Sequence, residues 1–592
     1  MFAHVQQVQV HRAIGAVRSR PYALWIASGL LAAVVTASSL SIGLIGDDFI
    51  HQQFLLEQLR THASSSSWWN MFGAPVSVPS MIELGQLPWW SSSHLQVAFL
   101  RPLATFSHYL DYLLWPTHAA WMHAHNILLY MLVAATASHV YRALLGDVRV
   151  VWIAALLYAI DDAHVLSTAW IASRNTLLTA LFCLICLACY HHGRSRRRRD
   201  AVWLAALALL LAHASSEGAF VIWPYLLSYA IFLDLGPRWQ RLSALTPLAL
   251  VSTAWLIITI VFDYGVRGGG AYLDPRQEPL EFLVAIPQRL PQLLFASFGL
   301  TDELSQKLPP ALQTAVHALV VLLLIALTIY VARSFRHDRV VRFLAVGCLG
   351  SLLPMCAVGA VGRLLFISGW GAHALLAQLV GALLARRSAR TLPRAAAGAV
   401  LAFAVVIAAH ASRAAPAWWL GLHDYFRQQA LALPRGEDLK GSVILTVNAR
   451  DYLTTPFILL YRHLFAAPGP AIMHVLGVGT DAVRVHRPDD KSLVLVPEHG
   501  YLNDTTSILV RSPKERFALN QTVPLWAAKV HVEALTADGR PARVRVETHD
   551  LNDPRLIWVV WDDEHQRFSP FALPAVGEAV TLAAASVPRS DR

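Results

Sequence analysis

Long apolar runs alternate with shorter polar stretches over the first two thirds of the chain. About eleven of these runs approach the ~20 residues that an α-helix needs to cross a ~30 Å hydrocarbon layer. They lie near residues 22–45, 122–143, 150–170, 175–192, 201–215, 218–235, 244–262, 312–332, 340–358, 364–386 and 395–412. The pattern predicts a mainly α-helical, polytopic membrane protein with about eleven transmembrane helices.

The pattern changes after residue 412. Runs such as "SVILTVN", "SLVLVP" and "ARVRVETH" are short, rich in β-branched residues and separated by Pro, Gly, Asp and Asn, which is typical of β-strands. We therefore predict a transmembrane domain over 1–412 and a soluble, β-rich, sandwich-like domain over 413–592, with a helix near "TPFILLYRHLF". Two long loops, 46–121 and 263–311, interrupt the first domain.

Composition and charge agree with a membrane protein. The 592 residues are 55% hydrophobic and only 15% charged, which is too apolar for a soluble globular protein of this size. The net charge of +10 comes largely from arginine clusters between the runs, such as "RSRRRR" at Arg194–Arg199. With eleven spans these clusters share one side, which the positive-inside rule makes cytoplasmic. The charge therefore predicts topology, not nucleic-acid binding, and the C-terminal domain is expected on the exported side.

Unusual polar motifs converge on the exported ends of the predicted spans. They are "GDDF", "RPLATFSHYLDYLLW", "HAHN", "DDAHVLSTAWIASRN", "SSEG" and "GRLLFISGWG". The side chains that they offer are Asp47, Asp48, Arg101, His123, Asn126, Asp161, Asp162, Trp170, Arg174, Glu217 and Arg363. This convergence predicts one site at the exported surface.

Helix length places one of these motifs deeper than the others. Arg149 stands at a cytoplasmic end, and Asp161 follows it by 12 residues, or roughly 18 Å of α-helix. That is short of a full crossing, so Asp161 and Asp162 are expected below the exported surface. Carboxylates there require a hydrated cavity, which we expect to open to the exported side.

The motifs, in their order, resemble those of the multi-spanning glycosyltransferases of the C superfold. The nearest group is that of the protein O-mannosyltransferases and the TPR-containing transmembrane O-mannosyltransferases, and the bacterial aminoarabinose and oligosaccharide transferases are more distant. The resemblance covers roughly residues 25–390. It implies an inverting transfer of a sugar from a polyprenyl-phosphate donor to a protein, glycan or lipid acceptor. The expected location is a bacterial inner membrane, with the N-terminus cytoplasmic.

The resemblance also implies roles for individual residues. Asp47 or Asp48 matches the general base, and Arg101, Arg174 and Arg363 match arginines that are candidates for binding the donor phosphate. The residues expected to line the cavity or to contact a sugar are Asp161, Asp162, His123, Asn126, Glu217 and Trp170. This chemistry is reasonable, because a carboxylate can accept the acceptor's proton and a guanidinium suits a phosphate leaving group.

The chain also departs from the group's pattern. Asp161-Asp162 stands where the group has His-Pro, and Leu166, Ser216 and Thr176 replace a glutamate, a lysine and an acidic residue. These differences indicate a different donor or acceptor. No cofactor is required by the sequence, and relatives in the superfold differ in their use of a divalent metal, so a metal stays possible.

Several alternatives stay open. The two aspartates could be a solvated helix end, Arg101 and Arg363 could be interface anchors, and His123 could be a packing residue. The pairs Trp68/Trp69 and Trp89/Trp90 are expected in an aromatic belt. The protein could also be a flippase for a lipid-linked sugar, or a polysaccharide polymerase or ligase. The C-terminal domain could bind the acceptor or cap the cavity.

Overall fold

The computed structural model describes residues 21–61, 69–73, 77–298, 305, 307–359, 362–385, 391–452, 454–465, 469–504 and 506–584. Its α-helices are α1 (Pro21–Thr36), α2 (Asp47–Thr61), α3 (Val78–Glu83), α4 (Pro102–Leu114), α5 (Ala119–Leu144), α6 (Val148–Ala159), α7 (Asp162–Thr168), α8 (Arg174–Ser195), α9 (Arg199–Ser215), α10 (Trp223–Ser228), α11 (Arg238–Ser243), α12 (Thr246–Val261), α13 (Pro279–Ala296), α14 (Pro310–Ser334), α15 (Arg339–Met355), α16 (Phe366–Ala385), α17 (Leu392–Ala432) and α18 (Thr454–Leu464). Its strands are β1 (Gln96–Ala98), β2 (Gly265–Arg267), β3 (Val443–Thr446), β4 (Ile472–Val475), β5 (Val483–His486), β6 (Ser492–Pro497), β7 (Thr522–Pro524), β8 (Lys529–Leu535), β9 (Pro541–Glu547), β10 (Leu556–Asp562), β11 (Arg567–Pro570) and β12 (Ala579–Leu582).

All eleven predicted apolar runs are helical, which confirms the mainly α-helical fold class. Among the described residues, six helices are long and apolar enough to cross a membrane: Tyr22–Ser41, Ala119–Leu144, Ile171–Ser195, Pro310–Ser334, Phe366–Ala385 and Leu392–Ala432. The bent pair α6 and α7 makes a seventh if it is counted as one span. The remaining runs form shorter helices: α9, α15, Glu217–Leu233 and Thr246–Val261. The predicted number of about eleven therefore includes helices that are short for a crossing.

The bend between α6 and α7 has a local cause in the sequence. The two helices meet at 43° around the aspartate pair. The side chain of Asp161 accepts a hydrogen bond from the backbone N–H of Ala163 at 2.9 Å, and so caps α7. An Asp at this position stabilises a new helix start, so the apolar run predicted over 150–170 becomes two helices instead of one.

The chain divides into two compact units. The first holds Met1–Gly73, Phe99–Tyr264 and Pro275–Leu420, and the second holds Ala74–Ala98, Gly265–Asp274 and Gly421–Arg592. The main segment of the second unit thus begins eight residues after the boundary predicted at 413. The second unit also takes two short segments from the long loops, and these contribute β1 and β2, which pair antiparallel.

The second unit confirms the predicted β-rich region and adds a feature that the strand pattern did not predict. A six-stranded sheet has the order β12-β5-β6-β9-β8-β7, with every neighbouring pair antiparallel. A four-stranded sheet has the order β11-β10-β3-β4, and there β3 runs parallel to both β10 and β4. Parallel strands need a crossover connection, which α18 supplies between β3 and β4. The four-stranded sheet is therefore mixed, unlike those of a purely antiparallel sandwich.

Trp89 and Trp90, which were expected in an aromatic belt, lie in the core of the second unit. Trp89 and Trp90 are 2% and 1% exposed within the second unit. The indole N–H of Trp89 donates to the carbonyl of Leu476 at 3.2 Å, and Arg511 donates to the carbonyl of Trp90 at 3.2 Å. This pair is a core element of the β-rich unit, so the belt prediction is wrong for it. Trp68 lies outside the described residues.

Small apolar clusters in the first unit position the polar motifs. Ile42 and Ile45 pack against Val165, Leu166 and Ala169, which joins the segment before α2 to α7. Leu166, which replaces a glutamate of the resembled group, is therefore a packing residue here. The burial of these side chains, at ~25 cal/mol per Å² of apolar surface, holds the two motif-bearing segments together.

Candidate active site

Asp47 and Asp48 occupy different environments at the start of α2. The Oδ2 atom of Asp48 accepts a hydrogen bond from the backbone N–H of Ile45 at 3.0 Å, and its Oδ1 atom accepts one from Ala172 at 2.7 Å. Asp48 is 1% exposed, whereas Asp47 is half-buried. The buried carboxyl fixes the loop, and its neighbour is the more accessible of the two.

The protonation of Asp48 reflects this burial. Loss of hydration raises the pKa of Asp48 to about 8, although the hydrogen bonds from Ile45 and Ala172 act in the opposite direction. The charge of Asp47 raises this pKa further, and the more distant Arg174 lowers it. Both Asp48 oxygens are also engaged by backbone N–H groups, so Asp48 is suited to holding the loop in place.

Arg174 stands at the centre of a buried network. Its Nε donates to Asn126 Oδ1 at 2.7 Å, its Nη1 donates to the carbonyl of Ser107 at 3.1 Å, and its Nη2 donates to the carbonyl of Met122 at 3.1 Å. Nη2 also forms an ion pair with Asp111, and the side chains of Arg174 and Asp111 are 0% and 1% exposed. All three guanidinium nitrogens are engaged, so the predicted phosphate role would require this network to break.

The "HAHN" motif ties three segments together. Asn126 accepts from Arg174 and donates to the carbonyls of Thr168 and Trp170 at 3.3 and 3.2 Å. The Nε2 atom of the buried His123 donates to the carbonyl of Gly43 at 2.8 Å. Asn126 therefore positions the segment after α7, and His123 positions the segment before α2. Both contacts are with the protein, which agrees with the structural alternative for His123.

His51 and His108 belong to the same region, and neither was among the predicted site residues. Their ring centroids are 5.3 Å apart, and the centroid of Phe72 is 5.0 Å from that of His51. Burial, followed by the charges of Arg101 and Arg174, lowers the pKa of His51 to about 3. Because His51 follows Asp47 by four residues on α2, the two share a helix face. That spacing was the available signal.

Arg101 and Glu217 form a bidentate pair next to these rings. Arg101 Nε donates to Glu217 Oε2 at 2.9 Å, and Nη2 donates to Oε1. The guanidinium carbon lies 4.1 Å from the ring centroid of Phe99 and 5.1 Å from that of Phe72. The side chains of Arg101 and Glu217 are 13% and 38% exposed. Unlike Arg174, this cation keeps access to solvent.

Asp161 and Asp162 line a separate cavity of ≈ 50 Å³ in the first unit. His373 Nε2 lies 3.4 Å from Asp161 Oδ2, and His164 Nε2 lies 4.0 Å from the same atom. Most of the other lining side chains are apolar, among them Leu376 and Phe403. The structure thus places both aspartates in a cavity, and the direction in which that cavity opens stays a prediction.

Trp170 and Arg363 complete the predicted set. The ring of Trp170 packs against that of Trp419, with the centroids 5.0 Å apart and the planes tilted by 33°. The backbone around Arg363 forms a short turn, Gly362–Leu364, just before α16. The side chain of Arg363 lies outside the described part of the chain, so its predicted phosphate role stays a prediction.

The described residues provide no obvious metal centre. Within them, no group of three or more His, Cys, Asp or Glu side chains is arranged to hold a metal ion. The carboxylates near the site instead contact backbone N–H groups, arginines and histidines. A divalent metal therefore has no assigned ligands in the described ranges.

Comparison with known proteins gives no match to a family model and none to a curated protein. Among solved structures, the oligosaccharyltransferase AglB from Archaeoglobus fulgidus, in complex with an inhibitory peptide and a dolichol-phosphate, is 12% identical with a TM-score of 0.45. The alignment covers 77% of this chain but only 64% of the archaeal one. ArnT from Cupriavidus metallidurans, bound to undecaprenyl phosphate, is 12% identical with a TM-score of 0.38, covering 74% of this chain and 84% of ArnT.

At TM-scores below 0.5 these likenesses assign no function to the chain. They assign no fold family either, so the resemblance to the C superfold and the narrower resemblance to O-mannosyltransferases both stay predictions. The structure itself shows a chain of apolar helices with a β-rich C-terminal region, and it is similar to AglB and to ArnT.

Proposed function

We propose that this protein is an inverting glycosyltransferase that moves a sugar from a polyprenyl-phosphate carrier to an acceptor. The observation that carries this proposal is the separation of the aspartate pair. Asp48 holds the loop through two backbone hydrogen bonds, and this places Asp47 at the first position of α2, where it is partly exposed. A fixed, accessible carboxylate is what a general base requires.

In the proposed reaction, an acceptor hydroxyl attacks C1 of the donor sugar from the face opposite the phosphate. Asp47 takes the hydroxyl proton, the bond between C1 and the phosphate oxygen breaks, and the polyprenyl phosphate leaves with the electron pair. The configuration at C1 is inverted. The neutral His51 lies on the same side of α2 as Asp47, and the charge of Arg101 contributes to its lowered pKa.

The leaving phosphate needs a cation, and Arg101 is the better placed of the two described candidates. Its guanidinium is partly exposed and already held in a planar, bidentate geometry by Glu217. Arginine binds phosphate in the same bidentate way. In our proposal Glu217 orients Arg101 before the donor arrives, while Arg174 holds the surrounding segments together through its buried hydrogen bonds.

The proposal is tested in membranes that contain the protein and radiolabelled polyprenyl-phosphate sugars, with transfer to endogenous acceptors as the readout. Asp47→Asn is expected to lower transfer on the order of 10²–10⁴-fold without lowering the amount of folded protein. Asp200→Asn, which alters an exposed carboxylate paired with Arg198, is the matched control. Full activity of Asp47→Asn would exclude Asp47 as the base.

Lipid analysis identifies the donor. Membranes lacking the protein should accumulate one polyprenyl-phosphate sugar, because its consumer is absent. If no lipid-linked sugar accumulates, the transferase proposal is contradicted.

We also propose that the site lies on the exported side of a bacterial inner membrane. The test is whether a membrane-impermeant thiol reagent labels the Asp47→Cys variant in intact cells.

A further inference from the structure

The second unit contains a cleft that takes no part in the proposed transfer. It has a volume of ≈ 530 Å³ and lies between the start of β3, the turn from β7 to β8, and the connection from β9 to β10. Clefts of this size are typical of small-molecule sites, which span ≈ 300–1,000 Å³. All of its lining residues belong to the second unit.

An exposed tryptophan stands at this cleft. Trp526 lines it from the β7–β8 turn and is 59% exposed. This contrasts with Trp558 and Trp561 in the neighbouring β10, which are both 7% exposed. A large indole held in water on a structured turn keeps a flat apolar surface available, and the C–H face of a sugar ring is a suitable partner for such a surface.

Hydrogen-bonding groups line the same cleft as the indole. Glu547, Thr548 and Asp550 also line the cleft, and both carboxylate side chains are exposed. Asp550 Oδ1 accepts from the backbone N–H of Asn552 at 2.9 Å, which holds its side chain in a defined orientation. Carboxylate oxygens oriented in this way can accept hydrogen bonds from ligand hydroxyls.

The charges at the cleft restrict the class of ligand. The cations are Lys529 and Arg555, and the carboxylates are Glu547, Asp550 and Asp553. Arg555 is paired with Asp553 at 2.7 Å, and Glu547 lies 3.0 Å from His531. With the histidines neutral, the balance is two positive against three negative charges, so the cleft offers no positive field for an anionic polymer.

We propose that this cleft binds a neutral saccharide, with a sugar ring stacked on Trp526 and its hydroxyl groups donating to Glu547 and Asp550. Sugar binding at this position would hold a glycan on the second unit without taking part in bond formation. The proposal does not depend on the proposed transferase activity, because binding is measured without a donor lipid.

The test uses the full chain in lipid nanodiscs and fluorescently labelled cellohexaose, maltohexaose and mannohexaose, with a hexamer of galacturonic acid as the anionic probe. At least one neutral probe should bind. Trp526→Ala should weaken that binding about tenfold, equivalent to about 1.4 kcal/mol. Trp526→Phe should retain most of it, because the flat aromatic surface is preserved.

Leu519→Ala provides the matched control, since Leu519 is 57% exposed in the same unit but does not line the cleft. It should bind like the unaltered protein, and Asp550→Asn should bind several-fold more weakly. The proposal is overturned if no neutral probe binds at about 10 mM, if Trp526→Ala binds as well as Leu519→Ala, or if the anionic hexamer binds most tightly. If Asp47→Asn loses transfer but still binds the sugar, the transfer site and the saccharide cleft are two independent sites.

Discussion

The Asp48 carboxyl accepts a hydrogen bond from the backbone N–H of Ala172, at 2.7 Å and across 124 residues of sequence. This contact joins the start of α2 to the segment between α7 and α8. It explains why two adjacent aspartates serve different purposes. One determines where the loop lies, and the other is left partly accessible at the helix start.

Removing this contact should destabilise the protein. Asp48→Ala leaves two buried backbone N–H groups without their acceptor, which costs about 1–3 kcal/mol for each such group. We expect a lower thermal unfolding temperature in detergent, together with loss of transfer. An unchanged unfolding temperature would show that the carboxyl does not hold the loop.

Asp47→Asn should lower transfer while leaving stability nearly unchanged. The unfolding temperature should stay close to that of the unaltered protein, and transfer should fall on the order of 10²–10⁴-fold, as expected for a lost general base. Rates with saturating donor, together with the amount of folded protein, distinguish catalysis from stability. A large drop in folded protein would instead assign Asp47 a structural role.

The buried ion pair gives a third prediction. Asp111→Asn leaves the charge of Arg174 buried without its partner, and breaking such a pair costs about 3–5 kcal/mol. We expect low expression or a much lower unfolding temperature, and Arg174→Met combined with Asp111→Leu should recover part of the stability. If this double variant folds but does not bind the donor, Arg174 would be assigned to binding the donor phosphate, as the sequence predicts.

The raised pKa of Asp48 predicts a pH dependence of stability. Because folding raises this pKa from 3.8 to about 8, the folded state binds the proton more tightly, and stability falls as pH rises between these values. His51 acts oppositely, since its lowered pKa makes stability rise with pH between about 3 and 6.5. Of these two effects, that of Asp48 is the one that operates between pH 6.5 and 8.

In that window, the free energy of unfolding should decrease by up to about 2 kcal/mol, at 1.36 kcal/mol per pH unit. Chemical denaturation at pH 6.5, 7.0, 7.5 and 8.0 measures this slope. The Asp48→Asn variant, whose amide does not titrate, should show a flatter profile. Equal slopes for the two proteins would assign the pH dependence to other groups.

The Arg101–Glu217 pair predicts a change in donor binding. Glu217→Gln removes one charge but keeps a hydrogen-bonding oxygen, so Arg101 should stay near its position with weaker orientation. We expect KM for the lipid donor to rise more than kcat falls, whereas Arg101→Ala should impair both. Donor titrations in nanodiscs separate these quantities, and an unchanged KM in both variants would contradict the phosphate role of Arg101.

The hydrophobic pattern was sufficient to predict the fold class, because helix and strand periodicities differ clearly along the chain. It did not predict that α6 and α7 form two helices, since the break depends on the capping carboxylate of Asp161. It also did not predict the burial of Trp89 and Trp90, because their partners, such as Leu476 and Arg511, lie hundreds of residues away.

In the candidate site too, some features could be predicted from the sequence and others could not. Asp48, Asn126 and Arg174 were selected by motif, and the structure brings them into one region: Asn126 is hydrogen-bonded to Arg174, and the charge of Arg174 lowers the pKa of Asp48. Sequence could not reveal that the Arg174 nitrogens are all engaged by protein, since the main-chain acceptors, at Ser107 and Met122, carry no sequence signature. His51 was missed because a single histidine on a helix of mixed polar and apolar residues has no distinctive pattern until Asp47 is considered with it.

The burial of Trp90 has a consequence for biosynthesis. Its carbonyl is bound by Arg511, which is translated 421 residues later. At ~5–20 residues per second, the ribosome reaches that arginine roughly 20–80 seconds after it has added the tryptophan. During this interval the Trp89-Trp90 segment lacks its final partners Leu476 and Arg511, so the nascent chain presents an aromatic surface that a chaperone can shield.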